Sequence, residues 1–313
     1  LAHMKKIFCL GGATIDHKLK SSASYLLGTS NPVSSITTFG GVARNIAENL
    51  GRWSKEIHLQ CAVGNDRDGR QLLAHMQSLG VDTDGSLVLE NASTAHYYAA
   101  LAPDGELFIA LADMEIYNQV QLDSFTPAWE RWTKNSLIFI DTNLPVTIID
   151  EVIQRCRHRQ LPLCIDPVSV AKAGKLAALA LEGVFLIKPN QLEAGALTDM
   201  EVDSVRKCIH AGCRLLDKGV KNVVISLGKA GWVIVNEYQQ QHFEGIELCD
   251  IHDVNGAGDA FIAGILYGLQ QQANLEEACY LGASAATLTL KSCSSVAQGI
   301  TAKHLKSLHG SPV

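Results

Sequence analysis

Near the C-terminal end, Asp253-Val254-Asn255-Gly256-Ala257-Gly258-Asp259-Ala260-Phe261 runs into an apolar helical stretch that continues through Leu269. Small residues at 256–258 leave backbone N–H groups uncovered at the helix start, where they and the helix dipole can hold anionic oxygens. Asp259 falls in the first helical turn, placed to take a proton from a hydroxyl brought up to a bound phosphoryl group. A plainer reading is open at this level: a first-turn acid complements the dipole, and the glycines permit a tight turn. Phe261 stands where a dinucleotide-binding Gly-x-Gly-x-x-Gly needs its third glycine, and the segment lies far from the first βα unit. No Gly-x-x-x-x-Gly-Lys-Ser/Thr, His-Glu-x-x-His or Cys-x-x-Cys occurs, which argues against a P-loop and the usual zinc sites.

Such residues need a scaffold. Apolar runs at 5–10, 57–63, 136–140, 161–165, 184–187 and 223–226 read as buried strands. Helical patterns at 40–53, where Val42, Ile46, Leu50 and Trp53 share a face, and at 146–157, 202–216 and 275–290 separate them. The alternation predicts a three-layer α/β/α domain with a mainly parallel sheet. Stretches 13–39 and 93–112 break that rhythm and predict a small β lid; Pro103-Asp104-Gly105 is the turn of a hairpin within it. The unpaired edges of so small a lid make a homodimer through it the expected assembly.

One large α/β domain over 5–309 is expected, with residues 1–4 a remnant ahead of a natural Met4. The chain has 313 residues and a formal net charge of -6, which gives no electrostatic reason to expect a nucleic-acid partner. It carries no leader pattern and no apolar run near the ~20 residues of a membrane span, so a cytoplasmic location and no membrane partner are expected. The nine cysteines are scattered and mostly lie in apolar runs, which reads as reduced, buried thiols.

The segment 253–259 resembles the C-terminal signature of the PfkB, or ribokinase-like, carbohydrate kinase family. Gly40-Gly41-Val42-Ala43-Arg44-Asn45 resembles that family's N-terminal sugar-binding signature, and Gly11-Gly12-Ala13-Thr14-Ile15-Asp16 its opening strand and sugar-gripping Asp. Lys188-Pro189-Asn190-Gln191-Leu192-Glu193 resembles its Asn-x-x-Glu metal motif, and Ser226-Leu227-Gly228-Lys229-Ala230-Gly231 its nucleotide loop. The five segments stand in family order across almost the whole chain. The resemblance implies a ribokinase-like fold and ATP-dependent phosphorylation of a sugar or nucleoside hydroxyl, with Asp259 as base and Gly256, Ala257 and Gly258 as the anion hole. It also implies Ser226, Gly228, Gly231, Asn255, Gly256 and Gly258 around ATP, and Mg²⁺ held by Asn190 and Glu193 through water. Asp253 would belong to a monovalent-cation (K⁺) site with the segment 291–296.

The residue chemistry is compatible with those roles. Asp16 can accept hydrogen bonds from two neighbouring sugar hydroxyls, Gly40 and Gly41 let the backbone approach, and Asn45 offers both donor and acceptor. Asn190 and Glu193 would equally serve as N-cap and N3 of a helix. Arg44 could face a phosphate or solvent. Two positions depart from the family pattern: Asn255 replaces a frequent threonine, and Thr14 a frequent asparagine.

Asn31-Pro32-Val33, 41–50, Ala112-Asp113-Met114-Glu115, Asp141-Thr142-Asn143-Leu144-Pro145 and Asp166-Pro167-Val168-Ser169 resemble the branch of the family that acts on pseudouridine. That implies transfer to the nucleoside 5′-hydroxyl, and Asn143, at a strand end, would read the base edge. Ribose, adenosine and fructose kinases share the frame, so they remain alternatives. A nucleoside sensor without turnover is a further one, against which Asp259, Asn190 and Glu193 speak.

Overall fold

In Lys6–Leu10 (β1) four apolar residues follow the lysine, and all four are buried, as a strand covered on both faces requires. The computed structural model describes residues 5–246, 251, 253–292 and 294–309. Thirteen further strands follow: Thr14–Ser21 (β2), Val33–Gly40 (β3), Ile57–Gln60 (β4), Ala62–Gly64 (β5), Leu87–Leu89 (β6), His96–Leu101 (β7), Leu107–Asp113 (β8), Ser136–Asp141 (β9), Leu163–Asp166 (β10), Leu186–Ile187 (β11), Asn222–Ser226 (β12), Trp232–Asn236 (β13) and Gln240–Phe243 (β14). The helices are Val42–Trp53 (α1), Arg67–Ser78 (α2), Glu115–Asn118 (α3), Thr126–Trp129 (α4), Val146–Arg159 (α5), Val170–Ala177 (α6), Gln191–Thr198 (α7), Val205–Asp217 (α8), Ala257–Gln270 (α9), Leu275–Leu290 (α10) and Ala302–His309 (α11).

The main sheet runs β14-β13-β12-β11-β10-β9-β1-β4, parallel from β12 to β4 and antiparallel at β13 and β14. Successive residues of β1 and β9 face opposite cores. Ile7, Cys9, Leu137 and Phe139 pack with α1, α9 and α10; Phe8, Leu10, Ile138 and Ile140 pack with α5, α7 and α8. The three expected layers follow from that alternation. From β1 the chain passes to β4 on one side and later to β9 on the other, so the carboxyl ends of β1 and β9 flank a topological switch point, where open α/β sheets bind ligands.

A second sheet, β3-β2-β7-β8, is built from the two stretches that broke the βα rhythm. Gly105, at φ 92°, makes the β7–β8 turn, and β8 is an edge strand with all seven residues exposed.

Two features differ from the sequence expectation. The run 57–63 divides at Cys61, whose N–H donates to Ser86 Oγ and whose carbonyl accepts from the Leu87 amide; β5 then pairs with β6 instead of continuing in the main sheet. An apolar run does not encode which sheet receives it. The sheet ends in an antiparallel edge, β13–β14, which the alternation of parallel βα units does not predict. Seven cysteines lie in described positions and are free thiols, six of them buried and Cys213 half-buried; Cys249 and Cys293 fall outside the described residues, as do 1–4.

Candidate active site

Helix α9 begins at Gly256, whose φ of 79° is left-handed and whose hypothetical Cβ would stand 1.9 Å from Ser295 O; no side chain fits. The first hydrogen bond of the helix is Ala260 N to Gly256 O at 2.8 Å. Among the described residues no acceptor takes the amides of Ala257, Gly258 or Asp259, so three N–H groups point out of a helix start. Close packing seats the middle of the helix on α10: a Cβ on Gly264 of α9 would lie 2.6 Å from Gly282 Cα.

The helix start lies between two cavities. One, of about 840 Å³, is lined by Asp16, Gly41, Asn45, Asn143, Asn255, Gly256 and Asp259, together with Thr14, Lys18, Tyr97, Lys172 and Asp253. The other, of about 710 Å³, is lined by Ser226, Gly228, Gly231, Ala257 and Gly258 and by a face of α10 at Ala283, Ala286, Thr287 and Leu290. Val254 borders both. The first loop of the second cavity is a 3₁₀ turn joining β12 to β13; Gly231, at φ 90°, would place a Cβ 2.0 Å from Phe243 O.

Half-buried Asp259 accepts a 2.7 Å hydrogen bond from Asn45 Nδ2. Asn45 Oδ1 in turn accepts from the Arg44 guanidinium, which also donates to Gly40 O, Phe39 O and Glu48. Arg44 is therefore neither solvated nor facing a cavity: it is 2 % exposed and holds the amide that holds Asp259. Burial, aided by the charges of Asp166 and Asp141, pushes the Asp259 carboxyl up to about 7, against the opposing pull of Asn45 and Lys188. Lys188 is buried 3.1 Å from Asp166 and lies 4.0 Å from where a Cβ on Gly258 would stand. Burial disfavours its ammonium, but Asp166, Glu193 and Asp259 outweigh that and hold its pKa above the ordinary lysine value.

Asp16 Oδ1 accepts from Thr14 Oγ1 at 2.7 Å, and burial raises its pKa. Gly40 does not line the cavity; its missing side chain makes room for Asp16, whose Oδ2 would lie 2.1 Å from a Cβ there. Asp141 is wholly buried, accepting from the amides of Gly12, Ala43 and Asn143 at 2.8, 2.9 and 2.8 Å. It ties the ends of β1 and β9 to the start of α1 and leaves Asn143 as the cavity-facing member of that strand end. Asn143 Oδ1 pairs with the Lys172 ammonium.

Asn190 and Glu193 line neither cavity; they form the capping box of α7, Asn190 Oδ1 accepting from Glu193 N and Glu193 Oε2 from Asn190 N, both at 2.9 Å. Glu193 Oε1 makes no hydrogen bond among the described residues, so one anionic oxygen stays available. A single carboxylate oxygen fits a hydrated Mg²⁺ held through water, not a full protein cage. The described residues contain no cluster of three or more metal-ligating side chains.

Sequence reasoning missed Lys18, Tyr97 and Lys172 in the first cavity and the α10 face in the second. Spacing offered a signal for the last alone: 283, 286, 287 and 290 are i, i+3, i+4, i+7 on one helix.

Two cavities meeting at exposed helix amides, beside a carboxylate titrating near neutrality, define an enzyme that passes an anionic group from one ligand to another. Residues 4–299 match the pfkB family carbohydrate kinase family, and the chain belongs to it. It is thus a phosphotransferase with an alcohol acceptor. The pseudouridine kinase of Escherichia coli (strain K12) is 28 % identical over 259 residues, covering 83 % of this chain and 82 % of that one. The guanosine-inosine kinase of Exiguobacterium acetylicum is 26 % identical over 295 residues, covering 92 % and 95 %. The fold is shared with Arabidopsis thaliana ribokinase complexed with ribose and ATP, at a TM-score of 0.86 and 18 % identity over 99 % and 100 % of the two chains. No helix among the described residues is long and apolar enough to cross a membrane.

Proposed function

We propose that this kinase transfers the γ-phosphoryl group of ATP to the 5′-hydroxyl of pseudouridine. The observation that carries the reading is the placement of three free α9 amides between two cavities, with Asp259 on the wall of the larger. ATP lies in the cavity lined by Ser226, Gly228 and Gly231, its base against the α10 face and its phosphates at the helix start. The nucleoside lies in the other, where Asp16, oriented by Thr14, accepts from the ribose hydroxyls and turns the primary hydroxyl toward Asp259. Asp259, freed from Asn45 or still sharing it, takes the hydroxyl proton as the oxygen attacks phosphorus, and the amides of Ala257, Gly258 and Asp259 receive the charge that develops. Asn190 and Glu193 would hold the water shell of Mg²⁺, which when bound neutralises phosphate charge.

Asn143 and Lys172 support a nucleoside over a bare sugar: their amide and ammonium groups border the same cavity as Asp16 and can hydrogen-bond a base edge. Similarity to the E. coli enzyme favours pseudouridine, whereas similarity to the guanosine-inosine kinase favours a purine nucleoside. A panel assay of transfer from ATP to pseudouridine, uridine, guanosine, inosine, adenosine and ribose decides. Pseudouridine should give the highest kcat/KM by at least about tenfold, the discrimination of one or two base-edge hydrogen bonds. A purine nucleoside or ribose in first place rejects the assignment.

The small sheet is the proposed homodimer surface. Leu107, Phe108, Ile109 and Leu111 of β8 are 48–58 % exposed on an edge strand, an apolar strip that a second copy would cover. Sedimentation equilibrium should return twice the chain mass; a single-chain mass at micromolar concentration removes the proposal.

A further inference from the structure

Asp253, six residues before Asp259, is the residue for which family resemblance implies a monovalent cation. Its surroundings do not fit one. Oδ2 accepts from Lys18 Nζ at 2.6 Å, and Oδ1 accepts from Asn255 N at 2.9 Å and Asn255 Nδ2 at 2.8 Å. Every described contact to the carboxylate is a donor, and Asn255 turns its N–H₂ end, not its oxygen, toward it. Potassium needs a ring of oxygen lone pairs, and the one carboxylate that ring would use here is already held and neutralised by the Lys18 ammonium. Cys293, in the segment expected to complete such a site, lies outside the described residues.

Lys18 comes from β2 of the small sheet, where it pairs in register with Ile36 and Ala99, and it reaches across 235 residues of sequence to the loop preceding α9. Both side chains border the larger cavity, and at 27 % and 16 % exposure they are screened less than a surface pair. We infer that Lys18 is a built-in monovalent cation: its ammonium neutralises Asp253, fixes the 253–256 turn that sets the α9 amides, and so makes phosphoryl transfer independent of K⁺. Lys18 is a positioning residue, acting through Asp253 and the turn, with no contact to reacting atoms required.

The inference rests on the phosphoryl-transfer reading above, so one arm of its test needs no turnover. Binding of Tl⁺, a K⁺ mimic, is followed by ²⁰⁵Tl NMR with the intact wild-type chain, Lys18→Met and Lys18→Arg. Saturable binding is expected to Lys18→Met only, since removing the ammonium frees a carboxylate for the ion. The second arm measures transfer to the preferred nucleoside in choline buffer, with K⁺ added at constant ionic strength. Wild type and Lys18→Arg should change less than about twofold with K⁺. Lys18→Met should lose about tenfold in kcat without K⁺, a loss typical of one part-buried charge contact, and recover most of it with K⁺. Saturable Tl⁺ binding to wild type, Tl⁺ binding to Lys18→Met no stronger than to wild type, or wild-type turnover that rises fivefold or more with K⁺ each overturns the inference. Absence of nucleoside phosphorylation in every protein, with the Tl⁺ pattern intact, counts against the substrate reading alone.

Discussion

Asp259→Asn is expected to lower kcat by about 10²–10⁴-fold while leaving nucleoside affinity nearly unchanged. The carboxamide keeps the size of the carboxylate and an oxygen able to accept from Asn45 Nδ2, so the wall of the cavity survives. What disappears is a group able to take a proton. Loss of fold is a separable outcome, because the sign of the Asp259 shift predicts its direction. The carboxyl is raised to about 7 in the folded chain, against about 4 for an unperturbed aspartate. Between those values the folded state holds a proton the unfolded state has released, so its stabilising share is present at low pH and is lost as pH rises through 7. At a pH above 7 the Asn variant escapes that loss and should unfold no earlier than wild type. Steady-state kinetics, calorimetric nucleoside binding and thermal unfolding on one preparation check all three. Turnover within about threefold of wild type rules out Asp259 as base.

Gly256→Ala is the second large effect, and it arises from geometry instead of lost chemistry. The added methyl group must occupy a left-handed backbone, at a cost of about 1–2 kcal/mol, and it would overlap Ser295 O. Relief requires the turn or the 295 segment to move, and either shift re-aims the amides of Ala257, Gly258 and Asp259. Misaligning even one donor of such a cradle costs about 10²–10³ in kcat, and here three move together, so a fall of at least about 10² is expected. Asp16, Asn143 and Lys172 lie on other elements, so nucleoside binding should persist. Gly258→Ala is the internal contrast: its Cβ meets only Lys188 Nζ at 4.0 Å, so the backbone has no reason to shift. Kinetics of both variants with circular dichroism as a fold check distinguish a displaced cradle from general unfolding. A Gly256→Ala protein with wild-type kcat contradicts the assignment of those amides to phosphate.

The three layers were legible because they depend on local periodicity: β1, β9 and β12 are apolar runs, and α1 and α10 carry their faces at helical spacing. The loop and first turn of α9 were legible because small residues before an acid at a helix start have few purposes. Partnership across the chain was not. Arg44 reads as facing a phosphate or solvent and Asn45 as a sugar contact, and only the fold shows that one arginine feeds four acceptors while the amide beside it faces Asp259. Asp141 is a buried staple for three backbone amides, a role no local pattern announces, and it leaves the cavity to Asn143. Lys18 and Lys172 carried no signal, since a lysine on a polar strand or a first helical turn is usually solvated. Their partners, Asp253 and Asn143, lie 235 and 29 residues away. Position along the chain predicted which elements form; it did not predict which side chains the switch point of the sheet would bring face to face.

The pH dependence of kcat/KM for the nucleoside tests most directly whether an ionised Asp259 receives the alcohol proton. Wild-type kcat/KM should climb tenfold per pH unit on the acid side and level off above an apparent pKa near 7, where burial and the neighbouring acids put this carboxyl. A profile flat from about pH 5 to 8, or a limb at the usual aspartate value near 4, would contradict the account.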